Sequence, residues 1–219
     1  MLASVYVDFD GTIAPTDPTD RLFERFGAPT WRARDCQSQQ GRRPARECMA
    51  QEVDGLRATP EAIVELLSTI EIDRQFPAFV DLCRAWHLEV IVVSDGLDRV
   101  VEHVLRAAGL QLPFFANRLQ WLGDDRWRLQ FPYARHDCAA ALGNGNCSHR
   151  SRAGGALDIV VGDGQSDFCI AQRAHLVLAK RRLAAHCRLH RIAHYPVANF
   201  ADATACLRGW LAHNTRQSA

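Results

Sequence analysis

Short, continuous apolar runs alternate along the chain with segments of helical periodicity. The apolar runs cover residues 2–7, 88–93, 157–161 and 176–179. Strands that are buried on both faces of a parallel sheet have this unbroken apolar character. The intervening amphipathic segments predict helices that cover those faces. The pattern therefore predicts an α/β fold in which a parallel sheet lies between two layers of helices.

Turn and capping signals predict the other elements. Thr59 followed by Pro60 predicts the start of a helix, and Gly109 predicts the end of a helix over residues 97–108. The polar residues 123–126, between two β-rich runs, predict a hairpin. The stretch from residue 19 to about residue 75 is helical in character. Further helices are predicted at residues 76–86, 166–173, 183–189 and 201–213, with a short strand at 192–195.

Composition and charge narrow the class of protein. Hydrophobic residues make up 47% of the 219 residues and charged residues 23%, which are ordinary globular values. The formal net charge of +1 provides no field that would favour nucleic acid or an anionic membrane as a partner. The sequence has no signal segment, no Cys-x-x-Cys pair and no apolar stretch near the roughly 20 residues that span a bilayer. We therefore expect a cytoplasmic protein with reduced thiols.

The first candidate site follows the first apolar run, in Asp8-Phe9-Asp10-Gly11-Thr12. A carboxylate can attack phosphorus and form an aspartyl-phosphate. A second carboxylate two residues later can act as acid and then as base, and we assign these roles to Asp8 and Asp10. Gly11 would permit a sharp turn that brings backbone N–H groups, including that of Thr12, to a phosphate. Asp-Gly is also a common turn dipeptide, so the motif could be a turn alone.

A second polar loop, Ser94-Asp95-Gly96, follows the apolar run at residues 88–93. The Ser94 hydroxyl and the neighbouring N–H groups of Asp95 and Gly96 could hold a phosphate oxygen near a helix N-terminus. Ser94 could instead simply cap the following helix. Because the carboxyl ends of parallel strands meet at one edge of the sheet, this loop should lie near the first one.

A third polar loop, Gly162-Asp163-Gly164-Gln165-Ser166-Asp167, follows the apolar run at residues 157–161. Two carboxylates four residues apart suit a hard cation, because Mg²⁺ prefers oxygen ligands and retains several waters. We expect Asp163 to bind the metal directly and Asp167 to support it, although Ser166 or Asp167 could cap a helix instead. The three loops together predict a magnesium-dependent phosphate site.

In their order and spacing, DFDGT, VVSDG and VVGDGQSD resemble motifs I, II and IV of the haloacid dehalogenase-like (HAD) superfamily, over about residues 2–200. The resemblance implies a Rossmann-like three-layer core. It also implies that Asp8 is the nucleophile and Asp10 the acid/base. Mg²⁺ would then be held by Asp8, by the backbone carbonyl of Asp10 and by Asp163, with Asp167 in support.

Finer features resemble the phosphoserine phosphatase branch of that superfamily. The helical stretch between motifs I and II resembles a small α-helical cap inserted between the first and second core strands. This implies a catalytic core of residues 1–14 and 76–219 and a cap of residues 15–75. Arg46-Glu47-Cys48, Ile72-Asp73 and Asn117-Arg118 resemble the subgroup that contains 2-hydroxy-3-keto-5-methylthiopentenyl-1-phosphate phosphatase. Arg46 and Glu47 are therefore candidates for contacts between the cap and the substrate.

One feature of the superfamily is missing from this chain. Motif III normally supplies a lysine upstream of the motif IV strand, but Lys180 is the only lysine and lies downstream of it. Arg150, the nearby Arg152 or Lys180 could supply the positive charge, although arginine is not a neutral replacement for lysine. Loss of one charge-stabilising group costs roughly 3–4 kcal/mol, so an enzyme lacking it could still turn over.

Two other groupings permit more than one interpretation. His136-x-Cys138 and Cys147-x-His149 contain zinc-ligand residue types, but their spacing matches no common zinc motif and favours incidental residues. Arg42-Arg43 could contribute to a basic patch for nucleic acid, but a solvated face is the better interpretation.

The sequence predicts a Mg²⁺-dependent phosphatase that acts on a small phosphomonoester. The natural substrate and the oligomeric state are not predicted. The alternative is a catalytically silent protein that binds phosphate or a metabolite. The missing lysine favours that alternative, whereas the Asp8 and Asp10 pair disfavours it because binding alone needs no acid/base carboxylate.

Overall fold

The computed structural model describes residues 3–33, 35, 45–133 and 157–217. Seven strands form a single sheet. Their bounds are β1 Ala3–Asp8, β2 Glu89–Leu97, β3 Phe114–Gly123, β4 Arg126–Gln130, β5 Leu157–Gly162, β6 Leu176–Ala179 and β7 Tyr195–Pro196. Neighbouring strands run parallel, except that β3 and β4 form the antiparallel hairpin predicted at residues 123–126.

Strand β1 lies in the middle of the sheet, whose order is β4-β3-β2-β1-β5-β6-β7. All residues of β1 are buried, which accounts for its largely apolar sequence. Asp8, its last residue, lies opposite Val93 of β2, and Val7 lies opposite Val161 of β5. The carboxyl ends of the three central strands therefore lie side by side at one edge of the sheet.

The helices begin and end at the predicted signals. The Thr59 hydroxyl accepts a hydrogen bond from the N–H of Ala62 at 3.3 Å, and Asp17 similarly accepts one from Asp20 at 3.0 Å. Gly109 has φ +71°, the left-handed conformation common just beyond a helix. The bounds are α1 Pro18–Phe26, α2 Ala45–Asp54, α3 Pro60–Leu67, α4 Phe76–Ala85, α5 Asp98–Ala107, α6 Phe168–Ala171, α7 Arg181–Leu189 and α8 Phe200–Gln217.

Apolar side chains pack against both faces of the sheet. On one face, the ring of Phe200 in α8 lies 4.7 Å from that of Phe76 and 5.2 Å from that of Phe79, both in α4. On the other face, Tyr6 of β1 belongs to a buried cluster with Ile170 of α6. A largely parallel sheet covered on both faces confirms the predicted α/β class with a Rossmann-like core.

Two strand predictions need correction. Strand β2 does not stop at Val93 but continues to Leu97, because pairing with β3 resumes at Leu97 opposite Asn117 after an irregularity in register. The last short strand was predicted at residues 192–195 but lies at Tyr195–Pro196. These two residues pair with the end of β6.

The helix predicted at residues 166–173 is also shorter than expected. It is reduced to a 3₁₀ turn, Gln165–Asp167, followed by α6. The Asp167 carboxylate accepts hydrogen bonds from the N–H groups of Asp163 and Gly164, both at 3.1 Å. These bonds close a tight loop at the end of β5 and delay the start of the helix.

Among the described residues, the chain between β1 and α4 carries α1, α2 and α3 and is tied to the sheet at two places. Next to the hairpin, the Ala58 N–H donates to the Asp125 carbonyl at 3.1 Å, and the Trp127 indole donates to the Ala58 carbonyl at 2.8 Å. Where the segment ends, the Asp73 N–H donates to the Ile13 carbonyl at 2.8 Å. The segment therefore begins and ends beside the same loop.

Replacement of Asp73 by alanine should destabilise the protein. The Asp73 carboxylate accepts hydrogen bonds from Gln75 at 2.9 Å and from Phe200 at 3.0 Å, which anchors the starts of α4 and α8. Loss of a capping side chain costs about 1–2 kcal/mol, so urea denaturation should show a drop of that size in the free energy of unfolding. Asp81→Ala is the control, because the exposed Asp81–Arg84 ion pair contributes about 0–1 kcal/mol. Equal stability of the two variants would contradict this anchoring role.

The described cysteines only partly match the expectation of reduced thiols. Cys83, Cys187 and Cys206 are free thiols, whereas Cys169 is disulfide-bonded, which the spacing of the cysteines did not predict. Among the helices of the described ranges, none is long and apolar enough to cross a bilayer.

Candidate functional site

Three carboxylates come together where β1 and β5 end. Asp8, Asp163 and Asp167 each offer an oxygen, and these oxygens lie within 4.8 Å of one another. Asp8 and Asp167 are buried, and Asp163 is partly buried. The predicted metal ligands Asp8 and Asp163 lie together in this group, and Asp167 belongs to the group itself rather than to its periphery.

The electrostatics of this group favour a bound cation. Burial, and then the negative charges of Asp167 and Asp163, raise the pKa of Asp8 well above its ordinary value. Burial also raises the pKa values of Asp163 and Asp167. Buried carboxylates that repel one another are stabilised in their charged form by a positive ion between them. Oxygen ligands at this spacing fit a hard divalent cation such as Mg²⁺.

The Asp10 carboxylate is not part of that group of three. Its Oδ2 accepts a hydrogen bond from the Ser94 hydroxyl at 2.9 Å. Burial, and then the charge of Asp17, raise the pKa of Asp10 well above its ordinary value. A raised pKa favours the protonated form, which can donate a proton. Burial raises the pKa of both Asp8 and Asp10. The two carboxylates differ in their neighbours, because Asp8 lies among other carboxylates and Asp10 accepts a hydrogen bond from Ser94.

The loop that carries Ser94 is fixed by hydrogen bonds. The Ser94 hydroxyl accepts the Gly96 N–H at 2.8 Å and donates to Asp10, so in this structure it orients Asp10 rather than presenting a free donor to a phosphate. The Asn117 amide of β3 donates to the Asp95 carbonyl at 2.6 Å. Asp95 and Gly96 both line the adjacent cavity. The alternative role of Ser94 as a helix cap does not apply, because α5 begins four residues later.

Gly11 brings the first loop against the carboxylate group. Its φ is +78°, which side chains rarely adopt, and a Cβ atom there would lie 2.5 Å from the Asp163 Oδ2. The close approach of the loop to Asp163 therefore requires glycine. Thr12 is buried next to it, and its hydroxyl has no hydrogen-bond partner among the described residues.

Lys180 reaches the same loop from the end of β6. Its Nζ donates to the carbonyls of Gly11 at 3.0 Å and Thr12 at 3.3 Å. Burial lowers the pKa of Lys180, while the nearby charges of Asp163 and Asp8 act in the opposite direction. The expected inward position of Lys180 is therefore found, although its hydrogen bonds go to backbone carbonyls. Arg150 and Arg152, and the histidines and cysteines considered as zinc ligands, lie outside the described residues, as do Arg42 and Arg43.

Sequence reasoning missed Arg181. Its Nη1 lies 3.5 Å from the Asp163 Oδ2, and its Nη2 donates to the Pro15 carbonyl at 3.4 Å. Its backbone has φ +36°, a strained conformation for a residue with a side chain. The signal available in the sequence was its place beside Lys180 at the end of a strand, but the contact itself depends on how the first loop folds.

A cavity of about 290 Å³ opens beside Asp8 and Asp10, lined by residues of the inserted helices and of the sheet edge. Arg46 and Glu47, expected to contact the substrate, do not line it. The Arg46 guanidinium lies over the Phe131 ring, 5.7 Å from its centroid, and Glu47 is exposed on α2. On that helix Cys48, Met49 and Glu52 line the cavity instead. The packing of α2 determines which of its sides faces the cavity.

Replacing Gly162 by alanine should disrupt the carboxylate group. A Cβ there would lie closer than 3.0 Å to the Asp167 carboxylate and would break its two bonds to the loop. Loss of such a supporting arrangement costs about 10–100-fold in metal affinity or activity. Gly164→Ala in the same loop is a matched control, since its nearest contact would be an ordinary 3.8 Å from Ser166. Metal titration by calorimetry should separate the two variants, and equal affinities would contradict the placement of Asp167.

Comparison with known proteins gives both a family and a fold. The model of the haloacid dehalogenase-like hydrolases matches residues 5–172. The chain is 29% identical over 217 residues to a 2-hydroxy-3-keto-5-methylthiopentenyl-1-phosphate phosphatase of Exiguobacterium sp., covering 95% of this chain and 99% of that protein. It is 24% identical to Pdp3-interacting factor 1 of Schizosaccharomyces pombe, covering 90% of this chain and 91% of that protein.

Solved structures show the same architecture. A phosphoserine phosphatase from T. onnurineus superposes with a TM-score of 0.69 at 16% identity, covering 94% of each chain. A phospho-aspartyl intermediate analogue of phosphoserine phosphatase superposes with a TM-score of 0.64 at 18% identity, covering 97% of this chain and 98% of that chain. At these identities the likeness establishes the fold.

Proposed function

The chain belongs to the haloacid dehalogenase-like hydrolase family, as a phosphomonoester hydrolase, and on this premise we propose that it is a Mg²⁺-dependent phosphatase of a small phosphomonoester that works through an aspartyl-phosphate. The observation that carries this proposal is the different setting of two carboxylates that are two residues apart in the chain. Asp8 lies among carboxylates that suit a cation, whereas Asp10 is hydrogen-bonded to Ser94 and faces the cavity.

In the first step, an Asp8 oxygen attacks phosphorus and the ester P–O bond breaks. Protonated Asp10 gives its proton to the departing alcohol oxygen. In the second step, the Asp10 carboxylate takes a proton from water while that water attacks phosphorus, which releases inorganic phosphate and restores Asp8. Ser94 keeps Asp10 in position through its 2.9 Å hydrogen bond.

Asp8, Asp163 and Asp167 would hold Mg²⁺, together with the Asp10 backbone carbonyl. The bound ion would neutralise the negative charge that spreads over the phosphoryl oxygens. Gly11 and Asp95 would offer backbone N–H groups to the same oxygens. The N–H groups of Thr12 and Gly96, which were also expected there, instead donate to the Phe9 carbonyl at 3.3 Å and to the Ser94 hydroxyl at 2.8 Å. Each of these assignments rests on the loop positions described above.

Two cations support the first loop without pairing directly with the nucleophile. Within the described ranges, no lysine or arginine lies within 4.0 Å of the Asp8 carboxylate. Lys180 holds the carbonyls of Gly11 and Thr12, and Arg181 contacts Asp163. We infer that Lys180 acts as the substitute for the missing motif III lysine by fixing the loop and adding positive charge near it.

The segment of residues 15–75 acts as a cap in this proposal, and residues 1–14 and 76–219 form the catalytic core. The two ends of the segment meet at the Asp73–Ile13 hydrogen bond, and its helices α1 and α2 line the cavity. Such a segment can exclude bulk water and contact the leaving group. We also infer a cytoplasmic location, which suits a small-molecule substrate.

A phosphomonoester assay tests the proposal. Purified protein should hydrolyse p-nitrophenyl phosphate with Mg²⁺, lose activity in excess EDTA and regain it when Mg²⁺ is restored. A catalytically silent binding protein would give no turnover with any metal or phosphomonoester, yet would still bind inorganic phosphate in a calorimetric titration. That result would replace the enzyme proposal with the binding alternative.

A further inference from the structure

The wall of the cavity is strongly acidic beyond the two carboxylates assigned to catalysis. It also carries Asp17, Asp20, Asp35, Glu52 and Asp95. Among the described residues that line it, none is a lysine, arginine or histidine. The substrate phosphate is itself an anion, so the carboxylates of Asp17 and Asp20 on this wall oppose its binding unless a positive group of the substrate lies between them.

A second metal ion does not account for these acids. Among the described residues, the only three carboxylate oxygens close enough to hold one ion are those of Asp8, Asp163 and Asp167. The acids on the cap side are spread along the wall instead. Carboxylates spaced in this way can surround an organic cation, which needs several acceptors but no tight coordination.

Two cap carboxylates extend outward from the catalytic acid. Asp17 lines the same cavity wall as Asp10. Asp17 also accepts the Asp20 N–H at 3.0 Å, which places Asp20 one step further along α1. Burial, and then the charges of Asp17 and Asp35, raise the pKa of Asp20 to about 7, so a positive ligand would stabilise its charged form.

Thr19 gives an independent indication of a ligand. The residue is 7% exposed and lines the cavity, and its hydroxyl has no hydrogen-bond partner among the described residues. A buried hydroxyl without a partner costs free energy unless a ligand supplies one. The hydroxyl lies beside Gly96, where a Cβ would be 2.9 Å from its oxygen, so glycine at this position preserves the space around it.

Resting on the proposed function, we propose that the substrate is the phosphomonoester of a short primary amino alcohol, whose ammonium group binds Asp17, Asp20 and Thr19. A primary ammonium has three N–H donors for these acceptors. A quaternary ammonium has none and favours a cage of several aromatic rings, whereas Phe23 is the one aromatic residue among those described along the wall. Because Asp17 lines the same cavity as the acid that protonates the leaving oxygen, we assign a short linker of about two or three carbons between the ammonium and that oxygen.

Four alkyl phosphates of similar size test this assignment. We expect kcat/KM for 2-aminoethyl phosphate to exceed that for 2-hydroxyethyl phosphate by about 10–100-fold, the value of a charged hydrogen bond. Choline phosphate should fall below it because it has no N–H donor. O-phosphoserine should also fall below it, because its carboxylate faces the acidic wall.

Two variants locate the preference in the cap. Asp20→Asn and Thr19→Val should each lower the ratio of kcat/KM for the amino over the hydroxy substrate, by about 10-fold for Asp20→Asn. Asp81→Asn removes an exposed carboxylate outside the cavity and should leave that ratio unchanged. Damage to the fold would lower kcat/KM for both substrates equally and would leave the ratio unchanged.

The outcomes separate this inference from the proposed function. Hydrolysis of p-nitrophenyl phosphate with no preference for the amine, or an equal fall for both substrates in Asp20→Asn, overturns the amine assignment and leaves the phosphatase intact. No turnover of any phosphomonoester overturns the proposed function and this inference with it.

Discussion

Asp8→Asn should abolish turnover, with kcat for p-nitrophenyl phosphate falling by about 10⁴–10⁶-fold, as when other enzymes lose a catalytic nucleophile. The amide is nearly the same size but cannot attack phosphorus. The fold should be preserved, because burial and the neighbouring carboxylates raise the pKa of Asp8 and so make its charged form less favourable than it is in water. Removing that charge should leave the melting temperature of the metal-free protein equal or higher.

Asp158→Asn is the matched control for this variant. Asp158 lies near the amino end of β5, opposite Ser4, and therefore far from the edge where the loops meet. It should retain activity within a few-fold. Activity of Asp8→Asn within about tenfold of the unmodified protein, measured with Mg²⁺ present, would show that another group attacks phosphorus.

Asp10→Asn should separate the two chemical steps. Nitrophenolate leaves readily without a proton, so the first turnover on p-nitrophenyl phosphate should be little affected. Hydrolysis of the aspartyl-phosphate needs a base, and its loss costs about 10²–10⁴-fold. We therefore expect a burst of one nitrophenol per enzyme followed by a slow steady state, in rapid-mixing absorbance measurements.

Ser94→Ala provides an intermediate case. It removes the hydrogen bond to Asp10 but keeps the carboxylate, so its steady-state rate should lie between those of the unmodified protein and Asp10→Asn. A fall in the burst itself in Asp10→Asn, with no accumulated phosphoenzyme detected by mass spectrometry, would mean that Asp10 acts before phosphoryl transfer rather than after it.

The central strands could be predicted from the sequence because their environment leaves a local signature. Strands β1, β5 and β6 are buried on both faces, so nearly every residue in them is apolar and the polar residue that follows marks the edge of the sheet. The end of β2 was less predictable. Its extension to Leu97 depends on pairing with Asn117 of β3, which no local pattern records.

The positions of the site carboxylates are likewise partly predictable from the sequence and partly set by tertiary contacts. Asp8, Asp10 and Asp163 stand directly after buried strands, and parallel strands bring their carboxyl ends to one edge. Their approximate meeting place is therefore implied by the chain itself. The loop after β5 is closed by two hydrogen bonds to the Asp167 carboxylate. This loop decides that Asp167 joins the group and that the carboxylate oxygens lie within 4.8 Å of one another.

The sequence by itself determined the α/β class, the family motifs and the identity of the candidate nucleophile and acid, because each depends on residue types at fixed spacings along one strand and its loop. Only the tertiary structure decided that Ser94 orients Asp10, that Arg181 contacts Asp163, and that Asp17, Asp20 and Thr19 rather than Arg46 and Glu47 line the cavity. Those contacts join residues from separate elements, and the packing of the inserted helices against the sheet sets which of their faces turns inward.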